Sequence, residues 1–257
     1  MISLSYVLKR LPAAASFEDS LRLLPEARDW LTKEYERLQK MYDFQESFCL
    51  RGCAGCDEAG RGPLAGPVSA AAVVLEGRPW LPGLNDSKKI SEGDREIIAL
   101  WIEARAAARH VAALSTDEIE AFNIRGAALE GMRRSLLAIA ERQEINMALI
   151  DGNAVIPGLP LPQRAVIKGD ARLPCIAAAS ILAKVSRDHI MREIDKSFPQ
   201  YGFAANKCYG TAEHLQALKK YGPCPWHRRS FGPVKKLLPE SAAGETSSEQ
   251  EGQAELF

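Results

Sequence analysis

Residues 56–67 read CDEAGRGPLAGP: two adjacent carboxylates, Asp57 and Glu58, then a run holding three glycines, two prolines and Arg61. The approach from residue 50 is apolar and reads as a strand over 50–58. The glycines and prolines make a turn, and PVSAAAVVLE (67–76) returns as a strand whose small side chains suit a position covered on both faces. Consecutive strand residues point to opposite faces, so a purely structural account of Asp57 and Glu58 must bury one of them or expose it awkwardly.

Downstream, SEGDREIIALWIEARAAAR (91–109) starts with Ser91 as N-cap and Asp94 three residues later, with Ile97, Trp101, Ala104 and Ala108 set on one helical face. HVAALS (110–115) reads as a third strand. Ser115 and Glu118 then stand in capping-box positions before a long amphipathic helix, and MALIDGN (147–153) is a strand stopping at Asp151. RAVIKGD (164–170) is a strand stopping at Asp170. Residues 174–198 follow as the strongest helix, with Ile176, Ile181, Val185 and Ile190 on its apolar side. A hairpin followed by strand–helix alternation predicts an α/β fold with a mixed sheet and helices on both faces. Ahead of this, residues 16–48 read as two helical pieces broken at Pro25, an N-terminal helical extension with a mixed surface of both charges.

Composition sets limits. The chain has 257 residues, 46% of them apolar, and no run near twenty apolar residues, so a globular protein with one large core and no membrane span is expected. The start lacks a basic segment leading into a long apolar stretch, and a cytoplasmic protein is expected. Six cysteines outside a secretion context are expected to stay thiols. Cys49, Cys53 and Cys56 have a spacing that can hold an iron–sulfur cluster. Strand alternation, however, sends Cys53 and Cys56 to opposite faces, and small apolar filler is the better reading. Net charge is zero, but residues 164–236 carry fourteen Lys and Arg against five Asp and Glu, and residues 237–257 carry five Glu with no basic residue. That asymmetry suits a polyanionic partner followed by a solvated tail.

Asp57, Glu58, Asp151 and Asp170 all fall at or near strand ends, where open α/β sheets place ligands. Gathered together they require protons or cations, and an all-oxygen set favours Mg²⁺ or Mn²⁺. The chemistry that such a pair of ions supports is displacement at phosphorus. Singly, each aspartate has a plain structural use: Asp151 before Gly152 and Asn153 as a turn former, Asp170 as a helix cap. Gly60, Arg61 and Gly62 let backbone approach a sugar or phosphate closely, or they simply form a tight turn.

DEAGRGPLAGPVSAAAV, NDSKKIS, ALIDGN, IKGDARLPCIAAASILAKVSRD and YGTAEHLQALKKYGPCPWHRRSF, in that order, resemble bacterial ribonuclease HII across residues 50–231. The resemblance implies a ribonuclease H-like mixed five-stranded sheet flanked by helices, with C-terminal helices. It implies an endonuclease that cuts the RNA strand of RNA–DNA hybrids and incises at single ribonucleotides in duplex DNA. By the same resemblance Asp57, Glu58, Asp151 and Asp170 hold two Mg²⁺ or Mn²⁺ ions, and Gly60, Arg61 and Gly62 sense the ribose 2′-hydroxyl. Tyr209 stacks on the sugar that follows. Lys88, Lys184 and Arg187 are candidate phosphate contacts, whereas Lys89 is read as a solvated charge. Where the family commonly has HKGYGT this chain has NKCYGT, so Asn206 and Cys208 replace His and Gly.

Three regions are expected: a helical extension (1–49), a catalytic domain with its C-terminal helical part (50–236), and an acidic tail (237–257) polar enough to be disordered. Gln253 to Phe257 resemble the short peptide by which bacterial repair enzymes grip the DNA sliding clamp, with Leu256 and Phe257 as apolar anchors. A monomer is expected. The rivals are a binding module that keeps the fold without turnover and an iron–sulfur radical enzyme.

Overall fold

A computed structural model describes residues 2–239; Gln253, Leu256 and Phe257 lie outside the described residues. Three helices come first: α1 (Leu4–Leu8), α2 (Phe17–Leu23) and α3 (Arg28–Glu46). The sheet and its covering helices follow as β1 (Cys53–Ala59), β2 (Val68–Val74), α4 (Glu92–Arg105), β3 (Ala108–Leu114), α5 (Thr116–Ala140), β4 (Met147–Asp151), β5 (Gln163–Val166) and α6 (Pro174–Ser197). Three short helices close the described chain: α7 (Phe203–Asn206), α8 (Ala212–Tyr221) and α9 (Gly232–Lys235).

The sheet is mixed, with strand order β3-β2-β1-β4-β5. β1 pairs antiparallel with β2 and parallel with β4, so it is central and hydrogen-bonded on both sides. Every residue of β2 is buried, and its alternation explains the small side chains. Ala71 and Val73 face a core that includes Ala178, Ile181 and Leu182 of α6, while Ala70 and Ala72 face a second core with Ala127 and Met132 of α5. Gly55 marks the closest approach: a Cβ there would collide with the backbone of Cys175 and Ile176, so the start of α6 lies directly on β1.

The leading helices share the first of these cores. Val7, Leu8, Leu31, Leu38 and Tyr42 pack in one cluster with Leu81, Leu84, Ile98 and Trp101.

Several boundaries differ from the sequence reading. β1 begins at Cys53, with Leu50 79% exposed in the loop before it. α4 stops at Arg105, so Ala108 belongs to β3; the buried face is Ile98, Ala99, Trp101 and Ile102, because the helix is covered from the side of α1 and α6. β5 ends at Val166, and Asp170 stands in a single 3₁₀ turn, Gly169–Ala171, entered through Lys168 in the left-handed region. The capping boxes at Ser16 and Ser115 and the Ser91 cap are formed. α5 is kinked at Asn123 (φ 55°, ψ 167°), whose Oδ1 accepts the N–H groups of Arg125 and Gly126 and so caps the longer second half.

Candidate active site

β1, β4 and β5 run parallel, so their C-terminal ends lie at one edge of the sheet. Cys56 stands opposite Ile150, which places Asp57 and Asp151, the next residues, side by side at that edge. Asp170 joins them through the turn after β5: Asp151 Oδ1 accepts the N–H of Gly169 at 2.7 Å and of Asp170 at 3.3 Å. Asp57 is buried and its Oδ1 accepts the Glu58 N–H at 2.7 Å; Glu58 itself is paired with Arg61 at 3.3 Å.

The electrostatics follow from this crowding. Burial, then the charges of Glu58 and Asp151, push the Asp57 carboxyl well above the usual carboxylate range. Burial also raises Asp151, against the opposing pull of the Gly169 and Asp170 N–H groups and of Lys88. Asp170 is raised by burial, then by Asp151 and Asp86, with Lys88 again opposing. A cluster whose members mutually disfavour ionisation is relieved by a cation, and the all-oxygen donor set fits hard divalent ions. Among the described residues no three His, Cys, Asp or Glu side chains are grouped so that they could hold a metal ion as they stand. Glu58 is turned toward Arg61, and one oxygen of Asp151 is engaged by two amides. With Glu58 released from Arg61, the carboxylates at this edge that could supply such ligands are Asp57, Glu58, Asp151 and Asp170.

Beside the acids, a cavity of about 490 Å³ is lined by Glu58, Arg61, Gly62, Lys88, Lys184 and Tyr209, drawing together residues from four separate segments. Gly60 adopts φ 99°, and a Cβ there would strike the Arg187 side chain, so no other residue fits this turn. Tyr209 is half exposed, and a Cβ built on Gly62 would sit 3.2 Å from its ring. Lys184 reaches the cavity wall while pairing with Asp188 at 2.7 Å. A larger cavity of about 510 Å³, lined by Cys49, Cys53 and Arg78 among others, opens at the opposite end of β1 and touches none of the four acids.

One expected phosphate contact is largely buried and mostly engaged by backbone. Arg187 is 1% exposed, and its guanidinium donates to the carbonyls of Pro67 (3.1 Å), Ala65 (3.1 Å) and Lys207 (3.4 Å). Three of its five N–H donors are thus spent on carbonyls, two of them in the glycine-rich loop, although the side chain also forms part of the cavity wall. Cys53 and Cys56 fall in different cores on opposite faces of β1, so they cannot share a cluster. Cys208 is buried with φ 66°, its N–H bonded to Asn206 Oδ1 (2.7 Å) and its carbonyl to the Leu64 N–H (2.8 Å). Asn206 thus fastens the left-handed backbone that Cys208 adopts, and the backbone at 208 meets the loop.

Three residues escaped the sequence reading. Ser180, on α6, holds the Asp57 carboxyl down against burial and bonds the Ser87 hydroxyl at 3.0 Å; a polar residue within AAASILA was its only signal. Asp86 adds negative charge near Asp170. Arg228, fully buried, was hidden in a stretch that reads as basic surface.

Residues 54–234 match the sequence profile described as Ribonuclease HII. The chain is 45% identical over 223 residues to a ribonuclease HII of Caldanaerobacter subterraneus subsp. tengcongensis, covering 86% of this chain and 90% of that protein. It is 51% identical over 184 residues to one from Idiomarina loihiensis, covering 72% and 97%. Among solved structures it resembles the ribonuclease HII of Archaeoglobus fulgidus in complex with PCNA, at TM-score 0.57 and 27% identity over 69% of this chain and 92% of that one. The fold is also that of Bst-RNase HIII in complex with Mn²⁺, at TM-score 0.59 and 18% identity over 74% and 71%.

Proposed function

Because the chain belongs to the ribonuclease HII family and is therefore a ribonuclease H, we propose that it hydrolyses the RNA strand of RNA–DNA hybrids and incises at single ribonucleotides embedded in duplex DNA. The products are a 3′-hydroxyl and a 5′-phosphate. The observation that carries this reading is the meeting of Asp57, Asp151 and Asp170 at one sheet edge, each carboxyl raised by burial and by neighbouring charge, beside a cavity that also holds Arg61, Gly62 and Tyr209.

Asp57, Glu58, Asp151 and Asp170 would hold two Mg²⁺ or Mn²⁺ ions, which when bound supply an activated water and steady the departing oxygen. The chain's own residues select and orient the substrate. The backbone of Gly60, Arg61 and Gly62 reads the ribose 2′-hydroxyl, the one group that separates RNA from DNA at a site. Tyr209 presents an exposed ring on which the following sugar stacks. Lys88 and Lys184 face the same cavity and contact flanking phosphates. Substrate entry releases Glu58 from Arg61 by giving the guanidinium a phosphate or sugar oxygen to bind.

The tail supports a partner. The Archaeoglobus relative is a complex with PCNA, and Gln253, Leu256 and Phe257 would anchor this chain to the bacterial sliding clamp, consistent with work in ribonucleotide repair during DNA replication in the cytoplasm. Within the described residues no helix is long and apolar enough to cross a membrane. Deleting residues 253–257 should abolish clamp binding, and unchanged affinity removes that assignment. The catalytic reading is tested with a duplex bearing one ribonucleotide, incubated with and without divalent metal and mapped by gel. A product ending in a 3′-phosphate or a 2′,3′-cyclic phosphate, or cutting in chelator, would contradict the end chemistry or the metal requirement respectively.

A further inference from the structure

A buried arginine with no carboxylate partner must place five N–H donors on neutral acceptors. Arg228 is fully buried and does so on a single loop. Its Nε donates to Gly66 O (3.0 Å), Nη1 to Arg61 O (3.1 Å) and Pro63 O (2.8 Å), and Nη2 to Gly60 O (2.6 Å) and Pro67 O (3.2 Å). Lysine, with three donors on one point charge, could not span these five carbonyls.

The preceding residue grips a different element. His227 is buried; its Nδ1 accepts the Cys224 N–H at 3.0 Å, which leaves the proton on Nε2. That proton is donated to Nε2 of the buried His214 at 3.1 Å, and His214 Nδ1–H donates to the Tyr209 carbonyl at 2.9 Å. The backbone joins the same parts: Arg228 N–H to Leu64 O (2.9 Å), Gly66 N–H to Trp226 O (2.8 Å), and a bridge between Ala65 and His227.

We propose that His227 and Arg228 are positioning residues which lock the 60–67 loop and Tyr209 to each other, so that the 2′-hydroxyl sensor and the stacking ring act as one preorganised unit. Two consecutive side chains each hold one of these elements, and neither touches the cavity. This inference rests on the reading of the loop and Tyr209 as substrate contacts. A ring and a loop that drift independently must be ordered by each substrate, and that cost falls on productive binding.

A double-mutant cycle tests it. His227→Phe retains the aromatic contacts to Tyr201 and Phe203 and removes the N–H given to His214. On a duplex with one ribonucleotide, His227→Phe should lower kcat/KM by about tenfold, chiefly through KM, with the fold intact by thermal melting. In a Tyr209→Ala background the same substitution should cost less than about twofold, because the ring being positioned is gone. His227→Gln, whose amide can still donate to His214, should recover to within about threefold of wild type. If His227→Phe does not fold, His214→Phe cuts the same link from the Tyr209 side and replaces it. Equal losses with and without the Tyr209 ring, or wild-type kcat/KM in the variant while Tyr209→Ala is impaired, would overturn the proposal. Wild-type kcat/KM in Tyr209→Ala itself would instead remove the reading of Tyr209 as a substrate contact, and the proposal with it.

Discussion

At Asp57 the requirements of folding and of the proposed chemistry oppose each other. The carboxyl is buried beside Glu58 and Asp151 and is pushed well above its ordinary range, so without metal its ionised form destabilises the fold. Asp57→Asn should therefore reduce cleavage at least about a hundredfold. In chelator the same change should raise stability by about 1–2 kcal/mol, read from urea melts at pH 7.5. A variant that cuts like wild type contradicts the assignment. The His214–His227 pair sets a second pH dependence. Burial lowers both rings, His227 to about 4 with His214 adding to the shift, and Cys224, Tyr201 and Arg228 line the same interior. An unfolded histidine takes its proton near pH 6.5 and the folded pair resists it, so the contribution is whole above about 6.5 and is lost progressively down to about 4. Wild type should lose up to about 3 kcal/mol across that window through His227, and His227→Phe should show a correspondingly flatter profile in melts taken from pH 4 to 7. The places of Asp57, Glu58 and Asp151 at strand ends were legible in the sequence because strand ends can be read from periodicity. Arg187 and Arg228 were not: a helical pattern counts arginine as surface, and nothing local shows that backbone carbonyls from residues 60–67 will converge on a guanidinium.

Among the elements, α5 and β5 depart most from their one-dimensional reading. The capping box at Ser115 and the amphipathic pattern announce one long helix, yet Asn123 breaks it and caps the second half with its own side chain. Asn123→Ala should cost about 1–2 kcal/mol in denaturant unfolding, since it removes the cap and keeps the left-handed backbone. No loss would mean the kink is absent in solution. RAVIKGD looked like a strand to its last residue because Val166 and Ile167 prolong the apolar run. The chain instead turns at Lys168, where Asp151 accepts the Gly169 and Asp170 N–H groups and pulls the turn toward β4. That contact spans two strands and has no local signature.

For the whole molecule, the mixed sheet covered by helices follows from what the sequence displays: a hairpin, then strand–helix alternation, with small residues where both faces are covered. How the leading helices attach was not legible, because Leu31, Leu38 and Tyr42 repeat at helical spacing without indicating their partner. In the structure they share a core with α4 and α6. Leu31 is fully buried in it, so Leu31→Ala should cost about 2–5 kcal/mol, measured by chemical denaturation. A cost under about 1 kcal/mol would show that the leading helices contribute little to the stability of the domain.

β1 has a neighbour on each side, parallel on one and antiparallel on the other. The amides around Cys56 and Asp57 can meet solvent only when the sheet itself comes apart, so they should be among the slowest to exchange. Loss of the acidic cluster on heating is then an all-or-none event, and a partly melted population is a mixture of fully competent and fully inert molecules.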